Sequence, residues 1–296
     1  MQPGRRGTAR VAVLTIIDEE FTEARDVFAT HQNIPGTPYY VSDLADARTP
    51  AVVLRVAADR ANVAAAGATT KLLEAFRPEV LVLVGIAGGV GKPDTIALGD
   101  VCVPTYVHYG EFRKLTEDRD AMRYAAYDQP TVSAREDHVD AVRFAGAQWA
   151  SQIPLDRPRD GSPEVRMGSI VAGEKVMGNP THAEQRGLAV RFPDAIAVDM
   201  ESFGVARAVH EARIAVPYNP RLVIVRGISD LVRTSEGPTP AAEESGAEDN
   251  NEQRKRWKRY AAAAAAAFAN AVVSTILATP DPRPERHLPG SDEAQS

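Results

Sequence analysis

The sequence predicts an α/β protein in which a central sheet is covered by helices on both faces. Segments with strand and helix composition alternate along its 296 residues. Several strand segments, such as 80–84, are apolar at every position, which is typical of strands buried between two helical layers. No internal repeat and no break in composition precedes residue 233, so a single domain over residues 10–279 is predicted.

Seven segments have the composition of strands, since all are short and rich in apolar and β-branched residues. They are residues 10–17, 51–58, 80–84, 100–107, 165–172, 196–198 and 222–228. The first segment runs directly into Asp18 and has no small-residue cleavage site after it, so it predicts a buried strand and not a signal peptide. The glycines of 85–91 predict a turn after the third strand.

Five segments have helical composition. They are residues 62–76, 135–151, 181–191, about 201–213, and 260–278. The first is alanine-rich and can be capped by Asp59 or Asn62. The last lacks charge over its whole length, which raises the alternative of a membrane helix. Because Phe268, Val272 and Ile276 recur every four residues among alanines, a helix packed on a core is predicted instead.

Several segments are predicted to lie outside regular structure. Residues 1–9 predict a flexible N-terminus, 153–164 a proline-rich loop, and 280–296 a disordered tail. Residues 234–253 are rich in Glu, Gly, Pro, Ala and Asn, and predict a long mobile loop. Loops of this length are lids, partner-binding segments or tolerated surface insertions.

Composition limits the class of function. The chain has 34 Lys and Arg against 40 Asp and Glu, a net charge of −6, which argues against a protein that coats nucleic acid. Cys102 is the single cysteine, so it forms no internal disulfide and supports no zinc cluster. One cysteine favours the reducing cytoplasm. His108, His138 and His210 have no metal-ligand spacing.

Polar residues follow four of the predicted strands, at the end of an α/β sheet where ligands bind. These residues are Asp18-Glu19-Glu20, Gly85-Ile-Ala-Gly-Gly, Asp199-Met200-Glu201 and Ser229-Asp230. Each acid alone is most often a helix cap or a solvated turn residue. The glycines lack the GxGxxG spacing and the lysine of a phosphate-binding loop, so they do not indicate a dinucleotide site.

Together, these motifs resemble the purine nucleoside phosphorylase superfamily, especially its methylthioadenosine/S-adenosylhomocysteine nucleosidase branch. The matching stretches are Asn62-Val-Ala-Ala-Ala-Gly-Ala-Thr-Thr-Lys, Arg77-Pro-Glu-Val, Gly85-Ile-Ala-Gly-Gly, Leu98-Gly-Asp-Val, Val198-Asp-Met-Glu and Val223-Ile-Val-Arg-Gly-Ile-Ser-Asp. The resemblance runs from about residue 10 to residue 277. It implies a three-layer α/β/α sandwich with a central mixed, twisted sheet, and cleavage of the N-ribosidic bond of a purine, preferably adenine.

The resemblance also implies the catalytic groups. Asp230, oriented by Ser229, donates a proton to the departing purine, which requires a raised pKa. Glu20 activates the attacking water at the anomeric carbon. Glu201 binds the 2′ and 3′ hydroxyls of the ribose through an acceptor-only carboxylate, and Met200 packs under the sugar.

The remaining substrate-binding residues are expected around the base. By resemblance, Val176 and Met177 flank the purine and contact its edge through main-chain atoms. Ala87 and Gly88 of the glycine-rich segment are expected to contact the substrate. Arg226 lies in an apolar strand, so it must be paired if buried, and a carboxylate of the site is its expected partner.

We expect no metal and no organic cofactor, because carboxylates and an oriented water suffice for this reaction. The resemblance implies a dimer or a hexamer, and a homodimer is expected. The substrate is expected to be a small purine nucleoside or nucleotide, with no nucleic-acid or membrane partner. The segment 15–20 lacks the glycine and arginine with which phosphorolytic relatives hold phosphate, which favours water as the nucleophile. A phosphorylase is the first alternative.

A purine nucleotide-binding sensor without turnover is the second alternative. It rests on Ile86, where many relatives have Ser or Thr, and on Val176, where nucleosidases often have an aromatic residue. The basic stretch 254–259 enters the last helix. It is either a solvated helix start or a set of cations that face substrate phosphates.

Overall fold

The computed structural model describes residues 9–42, 50–90, 96–116, 119–122, 126–128, 138–178, 182–215, 218–232 and 250–280. In chain order the elements are β1 Val11–Thr15, α1 Asp18–Val27, β2 Gln32–Asn33, β3 Tyr39–Val41, β4 Val52–Val56, α2 Ala61–Phe76, β5 Val80–Val90, β6 Val101–Tyr109, β7 Arg113–Thr116, β8 Arg119–Met122, β9 Ala126–Asp128, α3 Asp140–Phe144, a 3₁₀ helix at Ala147–Gln152, β10 Val165–Ala172, α4 Ala183–Arg186, α5 Leu188–Arg191, β11 Ala195–Asp199, α6 Ser202–Ala215, β12 Arg221–Val232 and α7 Asn250–Ala278.

A ten-stranded mixed sheet forms the middle layer, in the order β11-β10-β6-β12-β5-β1-β4-β3-β2, with β9 paired to β6. The strands β12, β5, β1 and β4 are parallel, whereas β6 runs antiparallel to β12. The far end of β5 also pairs antiparallel with β11. As a result, β5, β12, β6, β10 and β11 close into a ring of pairings.

Helices cover both faces of this sheet, because β1 and its neighbours are apolar on both sides. Val11 and Val13 pack into a core with α1 and α7. Ala12 and Leu14 point the other way and pack with α2 and α6. The predicted three-layer α/β/α sandwich with a mixed central sheet is confirmed.

The last helix, α7, is a buried core element. By length and composition it could cross a membrane, yet all of residues 260–269 are buried against β12 and β5. The predicted stripe of Phe268, Val272 and Ile276 has no exposed surface. Gly227 of β12 permits this packing, because a Cβ there would lie 1.9 Å from the Ala261 carbonyl oxygen. The predicted core packing of this helix is confirmed.

Two predicted strand ends are wrong. The strand β5 continues through the glycines to Val90, so residues 85–90 are not a turn. The strand β12 continues to Val232, so Ser229 and Asp230 lie inside a strand and not beyond its end. Both strands extend because they pair with each other up to Val90 and Val232.

Other predicted boundaries also differ. The described part of 135–151 contains α3 and a separate 3₁₀ helix, not one helix. The segment 181–191 divides at Gly187 into α4 and α5. Residues 250–253 belong to α7, whereas the rest of the predicted mobile loop, 234–249, lies outside the described residues. The predicted flexible ends, 1–8 and 281–296, also lie outside them.

Candidate active site

Five charged residues are buried together where β1, β5, β11 and β12 converge. They are Glu20, Asp199, Glu201, Arg226 and Asp230, and none is more than 9% exposed. Burying a charge is costly unless it is paired and hydrogen-bonded. The partners of each group therefore show how the site is organised.

Arg226 lies at the centre of this cluster with no exposed surface. Its Nε donates to Oδ2 of Asp199 at 2.9 Å, and its Nη2 lies 2.6 Å from the same oxygen. The Nη2 also lies 3.4 Å from Oε2 of Glu201. The expected pairing of Arg226 with a site carboxylate is confirmed. Its Nη1 is buried without a hydrogen-bond partner among the described residues.

Glu20 lies in the first turn of α1 and points inward. Its Oε2 accepts hydrogen bonds from the backbone N–H groups of Ile16 at 2.8 Å and Ile17 at 3.1 Å. Its Oε1 accepts from the N–H of Ile86 at 2.8 Å. With 3% of its surface exposed, Glu20 is not a solvated helix-opening acid, although it does cap α1. Burial raises the pKa of Glu20, and the charge of Arg226 opposes that rise.

Asp199 follows its strand at the end where ligands were expected, but no role was predicted for it. It accepts hydrogen bonds from the N–H groups of Glu201 at 3.3 Å and Ser202 at 3.2 Å, and from the Ser202 hydroxyl. It thereby caps the N-terminus of α6 and also holds Arg226. Its place in the Val198-Asp-Met-Glu motif was the available signal.

Glu201 links the cluster to α2. Its Oε1 accepts a hydrogen bond from the N–H of Ala61, the first residue of α2, at 3.1 Å. Glu201 therefore caps this helix, and the prediction that Asp59 or Asn62 caps it is wrong. Burial raises the pKa of Glu201 to about 7, against the opposing charge of Arg226. Asn62 instead accepts from the N–H of Gly204 at 2.8 Å and donates to the carbonyl of Gly173 at 2.9 Å.

Asp230 lies farther along β12, next to Ser229. The Ser229 hydroxyl donates to Oδ1 of Asp230 at 2.7 Å and lies 3.4 Å from the carbonyl oxygen of Ala87. Burial raises the pKa of Asp230, while the Ser229 hydrogen bond and the charge of Arg254 lower it. A Cβ at Gly88 would lie 3.3 Å from Oδ2 of Asp230. Ala87 and Gly88 therefore flank the Ser229–Asp230 pair.

The predicted base-flanking residues are not part of the buried cluster. Val176 is 59% exposed, and the structure does not bring it to the charged groups. Met177 is partly buried and lines a cleft together with Glu111, Gly173 and Asp199. Met200 is partly buried between Asp199 and Glu201. The cleft thus joins the Met177 segment to the carboxylates.

The arrangement suits acid–base chemistry on a substrate that lies along β5, with the bond to be broken between two sets of groups. One end holds Glu20 and the unpartnered Nη1 of Arg226, and the other holds Asp230 with its raised pKa. Carboxyl groups with pKa values shifted upward by burial are common general acids and bases. Within the described ranges, no group of three or more His, Cys, Asp or Glu side chains could hold a metal ion.

Comparison with known proteins identifies sequence relatives. The chain is 28% identical over 223 residues to a 5′-methylthioadenosine/S-adenosylhomocysteine nucleosidase of Anoxybacillus flavithermus, covering 75% of this chain and 85% of that protein. It is 27% identical over 224 residues to the enzyme of the same name from Bacillus licheniformis, covering 75% and 86%. These relatives support an enzyme of the N-glycosyl hydrolase class.

Solved structures share the fold. The nucleosidase of Neisseria meningitidis in complex with methylthio-immucillin-A aligns with a TM-score of 0.64 at 19% identity, covering 90% of this chain and 98% of that one. The futalosine hydrolase of Helicobacter pylori aligns with a TM-score of 0.59 at 15% identity, covering 90% and 97%.

The sequence profile of the phosphorylase superfamily matches residues 10–273. That match spans nearly all of the predicted domain, and includes every element that contributes a charged group to the buried cluster. The resemblance of the motifs is therefore confirmed, and the chain belongs to the phosphorylase superfamily.

Proposed function

We propose that this protein hydrolyses the N-glycosidic bond of a purine nucleoside or nucleotide, with adenine as the preferred base. The observation that carries the proposal is the buried pair of Ser229 and Asp230 on the same strand as Arg226. The Nη1 of Arg226 has no hydrogen-bond partner in the part of the chain that the structure describes, and it faces Glu20 across Gly85. The names of the sequence relatives support the reaction class.

Asp230 is the proposed general acid. A departing purine is a poor leaving group until it accepts a proton, and a carboxyl group whose pKa is raised by burial keeps its proton closer to neutral pH. The Ser229 hydroxyl engages Oδ1, so Oδ2 is the oxygen that faces the base. The absent side chain at Gly88 leaves room in front of that oxygen.

Glu201 is the proposed ligand of the ribose. Each of its carboxylate oxygens already has one protein partner, Ala61 or Arg226, and each retains a lone pair. A carboxylate with two such lone pairs can accept both hydroxyls of a cis-diol. Met200, adjacent in sequence and partly buried, supplies an apolar surface beneath the sugar.

Glu20 and Arg226 are the proposed pair that handles the nucleophile. A water between them would accept a hydrogen bond from Nη1 of Arg226 and donate one to Oε1 of Glu20. This water satisfies the orphaned donor, which otherwise costs about 1–3 kcal/mol. Because burial raises the pKa of Glu20, its carboxylate is a better base than an exposed glutamate.

Water, and not phosphate, is the proposed nucleophile. The N–H groups of Ile16 and Ile17, which follow β1, already donate to Glu20. They are therefore unavailable to hold an oxyanion. A phosphate next to the Glu20 carboxylate would also meet like charge, which is unfavourable in a buried site.

We further infer a homodimer in the cytoplasm. Val63 is 84% exposed and directly follows Asn62, which binds the Gly173 carbonyl at the cleft. A single exposed apolar side chain is ordinary at a protein surface, so Val63 serves as the position that probes the dimer and not as evidence for it. A wild-type dimer and a Val63→Asp monomer in light scattering would support this, and a monomeric wild type would contradict it.

Base release tests the reaction itself. Purified protein is incubated with methylthioadenosine, S-adenosylhomocysteine, adenosine, inosine and AMP, with and without phosphate, and free base is measured by chromatography. We expect adenine release without phosphate, and a loss of at least about 100-fold in kcat for Asp230→Asn and Glu20→Gln. Release that requires phosphate would indicate the phosphorylase. Binding without release would indicate the sensor.

A further inference from the structure

The first turns of α7 form one wall of the candidate site. The side-chain amide of Asn250 donates to the carbonyl of Met177 at 3.1 Å. The Gln253 side chain accepts from the N–H of Leu231 at 3.0 Å. These contacts fix residues 250–254 between the Met177 segment and the residue that follows Asp230. The backbone of Arg254, which follows Gln253, is therefore held at the site.

The other cations of the stretch 254–259 have different surroundings. Lys258 forms an ion pair with Glu19, and Nε of Arg259 lies 3.1 Å from a carboxylate oxygen of Glu23. Arg256 donates to the carbonyl of Pro158 at 3.2 Å. Lys255 is exposed, so water solvates its charge. Most of the stretch is thus accounted for as a helix start that packs on α1 and the proline-rich loop.

Arg254 is the exception. It lies on the inner side of α7, in step with Asn250 and the buried Trp257, because residues three and four apart share a helix face. Its side chain is half-buried, and it has no hydrogen bond or ion pair to any residue that the structure describes. A partly desolvated guanidinium without a counter-ion is unfavourable. An anion that is not part of this described framework would relieve that cost.

The charge of Arg254 also acts on the proposed acid. It is the cation that lowers the pKa of Asp230, and a cation beside a general acid opposes its protonation. An anionic group that pairs with Arg254 cancels this opposition. The positive charge of Arg254 is therefore balanced when the bound molecule carries a negative charge near Asp230.

We propose that Arg254 binds a phosphate on the 5′ carbon of the substrate, so that the preferred substrate is a purine nucleoside 5′-phosphate. This rests on the proposed function. In the anti conformer the N7–C8 edge of a purine lies over the 5′ side of its ribose. A cation beside the group that protonates N7 therefore lies on that side, whereas Glu201 holds the opposite, 2′,3′ edge. The planar guanidinium fork matches phosphate oxygens.

The phosphate takes no part in bond breaking. Water adds a hydroxyl group to C1′ through the Glu20 side, the C1′–N9 bond breaks, and the base leaves with the proton from Asp230. Glu20 accepts the other proton of the water, and proton exchange with solvent then returns Glu20 and Asp230 to their starting protonation states. The products of AMP would be adenine and ribose 5-phosphate.

The test compares Arg254→Gln with Lys255→Gln, the adjacent exposed cation, as a matched control. The measured quantity is kcat/KM for AMP divided by kcat/KM for adenosine. We expect the wild-type ratio to exceed 10, and Arg254→Gln to lower it roughly 10- to 100-fold, mainly through KM for AMP, as is typical of a lost charge-assisted hydrogen bond. Lys255→Gln should leave the ratio within about twofold, and Arg254→Lys should restore part of it.

Two results would overturn the phosphate site while leaving the proposed function intact. One is a wild-type preference for adenosine or methylthioadenosine over AMP, and the other is an equal loss on both substrates in Arg254→Gln. If no substrate releases base, the proposed function fails and calorimetry decides the phosphate site. Tighter binding of AMP than of adenosine that is lost in Arg254→Gln would support it, and equal binding would overturn it.

Discussion

Arg226 Nη1 and Glu20 Oε1 both reach the position where residue 85 has no side chain. A Cβ on Gly85 would lie 2.2 Å from the first atom and 2.5 Å from the second. Both groups belong to buried side chains, with Glu20 3% exposed and Arg226 0% exposed, so neither can swing out into solvent to make room for a methyl group. Glycine at this position therefore keeps the charged pair in place.

Gly85→Ala should separate this pair. The methyl group displaces at least one buried charged side chain, and overpacking of this kind costs about 1–3 kcal/mol of unfolding free energy. We expect a corresponding fall in urea-unfolding stability and at least a tenfold loss of base release. Gly67→Ala is the control, since a Cβ there meets nothing within 4 Å and alanine favours a helix. A Gly85→Ala variant as stable and active as Gly67→Ala would contradict the packing argument.

Glu201 should make stability depend on pH. Its pKa rises from an ordinary 4.5 to about 7 in the folded protein, so folding favours its protonated form. The resulting stabilisation is complete below about pH 4.5 and is lost as pH rises through 7. We expect Glu201→Gln to flatten the decline in unfolding free energy between pH 5 and 8, measured by urea titration.

The control for that measurement is Glu211→Gln. Glu211 lies on the same helix, α6, and is exposed. This variant should retain the wild-type slope. A slope in Glu201→Gln as steep as that of Glu211→Gln would show that another group carries the pH dependence.

Ser229→Ala should move the pH profile of catalysis. The Ser229 hydrogen bond lowers the pKa of Asp230, so its removal raises that pKa. Because activity is lost when the acid gives up its proton, the basic limb of kcat against pH should shift to higher pH. A basic limb that moves to lower pH, or one that stays fixed while kcat changes, would argue against Asp230 as the acid.

Ala61→Gly should stabilise the protein. Ala61 has a φ of +73°, a left-handed conformation that costs a non-glycine residue about 1–2 kcal/mol. Part of that cost is offset by the extra chain entropy of glycine, so we expect a net gain of about 0.5–1 kcal/mol and a melting temperature higher by about 1–4 °C. Ala64→Gly, inside α2, is the control and should lower the melting temperature. A lower melting temperature for Ala61→Gly would contradict the prediction.

Local composition predicted the layers of this fold but not how far its two central strands extend. The strand β10 has the predicted bounds, 165–172. The extension of β5 through its glycines depends on pairing with β12, more than 130 residues away in sequence. Glycine is unfavourable in isolated strands, and long-range pairing overrides that preference here.

The candidate site was also predictable only in part from the sequence. Motif positions were sufficient to select Glu20, Glu201, Arg226 and Asp230. They could not reveal that the N–H of Ile86 helps to hold Glu20 inward, because Ile86 lies 66 residues from it. They included Asp199 but indicated no role for it, because its hydrogen bond with Arg226 forms only when β11 and β12 come together.

The closed ring of strand pairings has a consequence for how the protein opens. The strand β5 is bonded to β12 along one edge, and to β1 and then β11 along the other. Its amide hydrogens, and those of β12, should therefore exchange with solvent only when the whole domain unfolds. Arg226, Ser229 and Asp230 thus lie on the slowest-exchanging part of the protein, whereas Glu20 lies in the first turn of α1 and Glu201 directly precedes α6. Fluctuations that admit ligands and release products must come from the helical wall and its connections instead.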